Sequence, residues 1–510
     1  MARIAVIGAG MGAMAAAARL ATGGHRVAVY ERTGTHGGAV RRLERAGFGF
    51  DTGPGLLHLP AVYRDLFVKT GRESLEESVA LRQVDPASRH VFADGTSVSL
   101  PNASRGGVVA ALDEALGSGA GERWSELLVR AREVWDATRR PLLEDALARD
   151  ASPLGRDPYP APPVRRGLLR RGAAPALADV ARRELADPRL AALLGSYPLA
   201  YGFDPRTVPA SAAVLPYMEQ TFGSWYVRGG MRALADAVQE RCVARRVEFH
   251  FGTVVAGIVV KDGRAAGLEL ADGTRVDADT VVAGVAPWLL PPLLSDGSGD
   301  TWPAARVWDG LGPGPRCEGP ARLTVCLALR GARPADAAHR TVVHTEDLEA
   351  EAAALARGEL YDRPTVTVLR PDDDTLRPDD ASESVTLGVT VPPHGSSGVD
   401  WRAPGLAERA ADAVQAAAAA VLPDLPERLL WRAVHTPADT EEETGTPGGR
   451  LPRPALAGAQ GAHLHPGNRL LVPGLYQVGG WSHPGGGLAH TGMSGAIAAD
   501  HIAGGPGGSR

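Results

Sequence analysis

The chain has 510 residues, too many for one simple core, so two or more domains are expected. Its net charge of -5 and sequence pI near 6.3 exclude a global basic field for nucleic acid. Three cysteines (Cys242, Cys317, Cys326) form neither a metal-ligand spacing nor a disulfide framework, which favours a reducing compartment.

The first element is "RIAVI", Arg3 to Ile7, a short apolar run suited to a buried parallel strand. "GAGMGA" follows, then the helical pattern "MAAAARLATGG", then a second strand, "HRVAVYER", ending at Glu31. These residues imitate a secretory leader, with an early positive charge, an apolar run and a small-residue end. The glycine spacing requires a strand and a helix instead, so no signal peptide is expected. No apolar run is long enough to span a bilayer, so no transmembrane helix is expected either.

Gly8, Gly10, Met11, Gly12 and Ala13 fit G-x-G-x-x-G/A. Gly8 permits the tight turn after the strand, Gly10 lets backbone approach a pyrophosphate, and Ala13 keeps the helix close to the sheet. The helix N-terminus offers free N–H groups and the positive end of its dipole to phosphates. Glu31, about 20 residues on, is placed to accept hydrogen bonds from ribose hydroxyls. Arg32 follows it, and the pair Gly37-Gly38 comes shortly after, which favours FAD over NAD. No second such motif follows a predicted strand, so one dinucleotide site is expected.

Further along, "RHVFADGTSVSLP" (89–101) reads as a hairpin turning at Asp94-Gly95. The pattern from Leu112 to Leu194 is helical, broken by "DPYPAPPVRRG". Strands alternate with turns between Val247 and Pro287. "RLTVCLAL", "TVTVLRP" and "SVTLGVTVPP" are later strands, and an alanine-rich helix runs near Leu406 to Ala420. The chain closes on "LYQVGGWSHPGGGLAHTGMSGAIAADHIAGG", a buried strand, a glycine-rich turn and a helix over "TGMSGAIAADHI". "VRRGLLRRG", with Arg165, Arg166, Arg170 and Arg171, is a basic stretch in an acidic protein. It suits an anionic membrane surface or an acidic acyl-carrier protein, against the plainer reading of a solvated face.

"VIGAGMGAMAAAARLATGGHRVAVYERTGTHGG" and "GFGFDTGPGLL", with "SYPLAYGFDPRTVPA", "FGSWYVRGGMRALADAV", "HTPADTEEETGTPGG" and "GLYQVGGWSHPGGG", resemble the bacterial phytoene desaturase family of amine oxidase-like flavoproteins. The resemblance implies an α/β fold: a Rossmann-like FAD-binding domain, an inserted α+β substrate domain, and a helical lid or membrane-facing part. The FAD-binding domain is expected over 1–75, 225–300 and 441–510. The substrate domain is expected over 76–224 and 301–440.

By the same likeness, Thr52, Gly53 and Pro54 lie along the flavin, and Val255 holds the adenine edge. Gly479, Gly480 and the helix amides near Gly492 and Met493 close over the ring. The implied reaction makes a C=C bond in a hydrophobic, conjugated polyene such as a carotenoid precursor. Hydride leaves one carbon for flavin N5 and a proton leaves its neighbour. His483 and Arg228 are the catalytic candidates, Trp481 and Tyr226 line a channel or pack, and His490 has no assigned role. Dehydrogenation of a carrier-bound polyene chain and flavin-dependent cis-trans isomerisation remain as alternatives. Relatives have Pro where Ala489 stands and Arg where Ala39 stands, with Arg41 or Arg42 near enough to compensate for the latter. The expected location is cytoplasmic, with peripheral docking on the inner membrane face open.

Overall fold

A computed structural model describes residues 1–160, 174–295, 307–308 and 317–504. The basic residues Arg165, Arg166, Arg170 and Arg171 lie outside the described residues.

The N-terminal unit is built around five parallel strands: β1 (Arg3–Ile7), β2 (Arg26–Tyr30), β3 (Glu248–His250), β4 (Thr280–Ala283) and β5 (Leu475–Gln477). Their order is β3-β2-β1-β4-β5, so the sheet draws on three distant stretches of chain. Strand β1 is apolar at consecutive positions because both its faces are covered. Ile4 and Val6 enter one core, and Ala5 and Ile7 enter another with Ile258, Leu268 and Leu290.

Helix α1 (Met11–Thr22) lies on the first of these faces. Its alanines are short enough for other helices to press close. Three do so, while two others form a core of their own. Helix α2 (Ala61–Thr70) touches α1. Helix α3 (Ala120–Arg139) buries Trp124, Leu127, Ala131, Val134, Trp135 and Thr138, a stripe at helical spacing, in a separate helical core with Leu193 and α4 (Val214–Phe222). Helix α5 (Met231–Ala244) packs on α1, and Cys242 donates its S–H to the Met14 carbonyl at 3.3 Å. Helix α6 (Leu488–Ala503) lies along α1.

Asp51 ties these parts together. Its carboxylate accepts the N–H groups of Met231 (2.8 Å) and Arg232 (3.4 Å), supplying α5 with the cap that Gly230 cannot. Burial pushes the Asp51 carboxyl up to about 6, against those two hydrogen bonds and Arg42.

The second unit is a seven-stranded mixed sheet ordered Leu429–His435, Ala321–Arg330, Ser382–Val391, Val366–Leu369, Arg340–Val343, Ser88–Val91, Ser97–Leu100. The last two are the expected hairpin. Helix Leu406–Ala418 covers one face. Phe48 and Phe50, from a hairpin of the N-terminal unit, meet Cys326 and Ala328 of strand Ala321–Arg330. No described helix is long and apolar enough to cross a membrane.

Candidate functional site

The glycine motif sits where β1 turns into α1. Gly8 has φ +84°, a conformation that needs glycine, and a Cβ there would come within 3.1 Å of the Gly284 carbonyl oxygen. Ala13 packs against Gly284 from the other side. Gly10 caps α1, and a Cβ on it would meet nothing within 4 Å, so open space lies before the helix N-terminus. Gly12 is the reverse case: a Cβ there would sit 2.9 Å from the Thr491 carbonyl oxygen. Met11 is buried in the core.

Glu31 is 8% exposed and accepts the Ala9 N–H at 2.8 Å, together with the N–H and hydroxyl of Thr33. Gly37 donates its N–H to the Ala9 carbonyl at 2.8 Å, and Gly38 presses against the Gly10 Cα. The turn 37–38 therefore forms one wall of the space before α1. Thr253 donates its N–H to the Glu31 carbonyl at 2.8 Å, which brings the strand beginning at Val255 alongside. Arg32 turns away: its guanidinium is exposed and hydrogen-bonds the Glu442 carbonyl. Of the two candidates to compensate for Ala39, Arg41 donates to the Gly38 carbonyl at 2.8 Å with Glu443 and Glu31 close by, while Arg42 lies beside Asp51. Thr52 donates its N–H to the Arg41 carbonyl, Gly53 abuts the Ala39 carbonyl, and Pro54 continues that strip.

The C-terminal segment closes on this cradle. Gly479 (φ +113°) donates its N–H to Ser494 Oγ at 3.1 Å, and its own Cβ direction is open. Gly480 packs on Pro452. Helix α6 begins at Leu488, four residues before the expected amides, because Gly487 rather than the later threonine caps it. Its free N–H groups are those of Leu488, Ala489 and His490, since Thr491 already donates to Gly487. Gly492 and Met493 lie in the second turn, where amides are spent within the helix. Gly492 instead admits the Val62 and Tyr63 side chains of α2, and Tyr63 donates its hydroxyl to the Leu488 carbonyl at 3.0 Å.

Beneath the turn runs a buried polar network that sequence reasoning missed. Asn468 Nδ2 donates to the carbonyls of Gln477 and His483 and to Ser494 Oγ, and Ser482 joins Ser494 at 3.0 Å. His483 belongs to this network and is fully buried. Its Nε2 donates to the Asp145 carbonyl at 3.0 Å, and its N–H donates to the Pro466 carbonyl. Burial pushes its imidazole down to about 4, leaving it neutral at physiological pH. His483 is therefore a tether between the glycine turn and the π-helical turn Arg140–Glu144 that ends just before Asp145. Arg228 is engaged elsewhere: its guanidinium is half-exposed and pairs with Asp374 at 2.7 Å. Tyr226 packs, its hydroxyl donating to Asp373 at 2.7 Å.

Two clefts adjoin the turn. One is lined mainly by apolar side chains of α3, α4 and the segment 454–457, and by His490. The other is lined by Phe203, Trp288, Arg453, His465 and Trp481. Trp288 and Trp481 meet edge to face there at 4.8 Å, and the Arg453 guanidinium lies over Phe203. Where α4 meets the seven-stranded sheet, Glu219 and Arg340 form a buried pair with His58 Nε2 3.6 Å from Glu219. Burial alone would raise the Glu219 carboxyl; Arg340 and His58 bring it below its ordinary value.

The arrangement fits a dinucleotide. The space before Gly10 and Gly479, the acid at Glu31 and the two free helix N-termini make a lining of backbone donors with no side chain in the way.

The family model for flavin containing amine oxidoreductases matches residues 14–314. The chain is 29% identical over 506 residues to a hydroxyneurosporene desaturase of Rhodobacter capsulatus, covering 97% of this chain and 96% of that one. It is 27% identical to a 4,4'-diapolycopene oxygenase of a Methylomonas species, covering 98% of each. Among solved structures, an oxidoreductase from Methanosarcina mazei superposes with a TM-score of 0.62 at 18% identity, over 97% of this chain and 99% of that chain.

Proposed function

The chain belongs to the flavin-containing amine oxidoreductase family, and from that premise we propose that it is an FAD-dependent desaturase of a hydrophobic, conjugated polyene. The observation that carries the reading is the apolar cleft that runs up to the first turn of α6, beside the cradle that suits the flavin. A long apolar substrate needs such a path, with few polar groups along it. The near-full-length similarity to proteins named for carotenoid substrates supports the same class.

Bound FAD supplies the oxidant, taking a hydride from a substrate carbon. The chain's own residues do the rest. With FAD bound, Gly8, Gly10, Met11, Gly12 and Ala13 would present backbone to its pyrophosphate, and Glu31 would accept from the ribose. Gly37, Gly38, Thr52, Gly53, Pro54 and Val255 wall the cofactor, and Gly479 and Gly480 close over it. The amides of 488–490 would favour negative charge on a flavin bound before them. The Arg140–Glu144 turn, tethered by His483, shields the cleft from water. An amine substrate is disfavoured, because the aromatic pair Trp288–Trp481 shares its cleft with the cation Arg453. The basic stretch 165–171 is proposed to seat the protein on an anionic membrane surface that stores the substrate; salt-sensitive binding to anionic vesicles, lost on substitution of its arginines, tests this.

The test of function is an anaerobic titration following flavin absorbance. Bleaching by a carotenoid precursor in micelles supports the desaturase. Bleaching only by a carrier-loaded polyenoyl chain moves the substrate to the carrier-bound class. A flavin that stays oxidised with both substrates, while the double-bond geometry changes, supports an isomerase.

A further inference from the structure

His490 occupies a position unlike any other polar residue of the apolar cleft. It is the third residue of α6, beside the free amides of Leu488 and Ala489, and its ring lines the cleft. Among the described residues it makes no hydrogen bond. The other polar side chains on the cleft wall are already engaged. Thr138 donates its hydroxyl to the Val134 carbonyl at 2.7 Å, Ser211 donates to the Ala457 carbonyl at 2.5 Å, and Arg139 pairs with Glu144 at 3.1 Å. Arg139 has no lone pair to offer in any case. The cleft thus presents a single unengaged basic nitrogen to whatever enters it.

Two effects keep that nitrogen unprotonated. Burial pushes the imidazole down to about 4, and the neighbouring His483 and His465 act in the same direction. The positive end of the α6 dipole opposes a charge at this position as well. Arg139 is the remaining charged group on the cleft lining, and Tyr201, whose ring lies near the Gly487 turn, and Tyr63, whose hydroxyl donates to the Leu488 carbonyl, are further titratable neighbours. Nδ1 is turned back toward Gly487, which leaves Nε2 on the opposite ring edge.

On the desaturase reading above, we propose that His490 is the catalytic base of the cleft, its Nε2 accepting the proton that leaves the substrate as the double bond forms. Electrons and atoms balance as follows. One C–H bond gives its electron pair, as hydride, to the FAD. The adjacent C–H bond breaks toward Nε2, and its electron pair becomes the new π bond. The substrate is oxidised, FAD is reduced, and the imidazolium returns its proton to solvent. A weak base suffices, because a carbon next to a polyene-stabilised cation is strongly acidic. A base that charges reluctantly is always ready at neutral pH and releases its proton afterwards. The dry cleft also keeps water from adding to the cation.

The test compares FAD-loaded wild type with His490→Gln, a neutral side chain of similar reach that is not a base in this range. Polyene binding is read separately, in both proteins without flavin, from quenching of Trp135, which lines the cleft. The expected result is unchanged binding and flavin content, with anaerobic flavin reduction slowed about 10²–10⁴-fold, the usual contribution of a positioned base. Wild-type reduction should fall as pH drops toward the imidazole's depressed range, and the variant should lose that inflection. Unchanged rate and pH profile in His490→Gln overturn the proposal, as does weaker binding with an unchanged limiting rate. A polyene that binds wild type yet never bleaches the flavin defeats the desaturase reading itself, and the base falls with it.

Discussion

Gly12 and Gly479 stand so close that a Cβ on Gly12 would lie 3.1 Å from both the N and the Cα of Gly479. The start of α1 and the turn before α6 therefore meet with no side chain between them. Gly495 deepens the contact, because a Cβ there would overlap the Gly12 carbonyl oxygen.

This separates two glycines of one motif by what they do. Gly12→Ala is expected to destabilise the protein with or without cofactor, by about 1–3 kcal/mol, the usual cost of overpacking. Gly10→Ala faces open space and has an ordinary φ of -71°, so the flavin-free protein should melt like wild type. Its methyl would stand in the pyrophosphate path, and FAD retention should fall. Melting curves of the flavin-free proteins and flavin absorbance after gel filtration check both halves.

His483→Phe removes the hydrogen bond to the Asp145 carbonyl and should loosen the Arg140–Glu144 turn. We expect FAD to be retained, a stability loss of about 1–3 kcal/mol from the orphaned buried carbonyl, and faster amide hydrogen exchange across 140–145. No inflection near neutral pH should disappear, because the wild-type imidazole is already neutral there. Exchange mass spectrometry and a pH series on the variant would show either failure.

Glu351 is fully buried on helix Leu348–Ala356, held by the N–H (2.9 Å) and hydroxyl (2.7 Å) of Thr365. Burial raises its carboxyl to about 7, against those hydrogen bonds. A carboxyl with a raised folded-state value binds its proton more tightly when folded. Its contribution is fully present below the unfolded value near 4.5 and is lost as pH rises through about 7. Glu351→Gln should therefore match wild type at pH 5 and exceed it at pH 8, by at most about 3 kcal/mol. Urea midpoints at the two pH values decide it.

The buried pair Glu219–Arg340 calls for a double-mutant cycle. Glu219→Ala leaves a buried guanidinium unpaired and should cost about 3–5 kcal/mol, while replacing both by Met should cost far less. Additive losses in the cycle would mean that the two charges do not sense each other.

The βαβ unit from Arg3 to Glu31 was legible because everything it needs is local: an apolar run, a glycine spacing and an acid at a fixed distance. The hairpin at 88–100 and the alanine-rich helix were legible for the same reason. The start of α6 was not, since a glycine cap leaves no Ser, Thr, Asp or Asn signal and the later threonine resembles one. The roles of His483, Tyr226 and Arg228 were hidden too. Their partners, Asp145, Asp373 and Asp374, are far away in sequence and leave no periodic trace. His490 was visible as an unusual residue, but only the cleft around it gives it a task.

The order of the parallel sheet has a consequence for biogenesis. Strand β4 is paired on one side by β1 and on the other by β5, Val281 opposite Leu475. On a ribosome delivering about 5–20 residues per second, β4 must wait for that neighbour while the seven-stranded unit is still being made. During that interval its apolar edge is open to other chains. On the proposed closure of Gly479 and the start of α6 over the cofactor, flavin loading becomes a checkpoint on completed synthesis. A chain stalled or clipped before Leu475 is thus a cofactor-free species with an adhesive edge, suited to capture by chaperones or proteases rather than to partial activity.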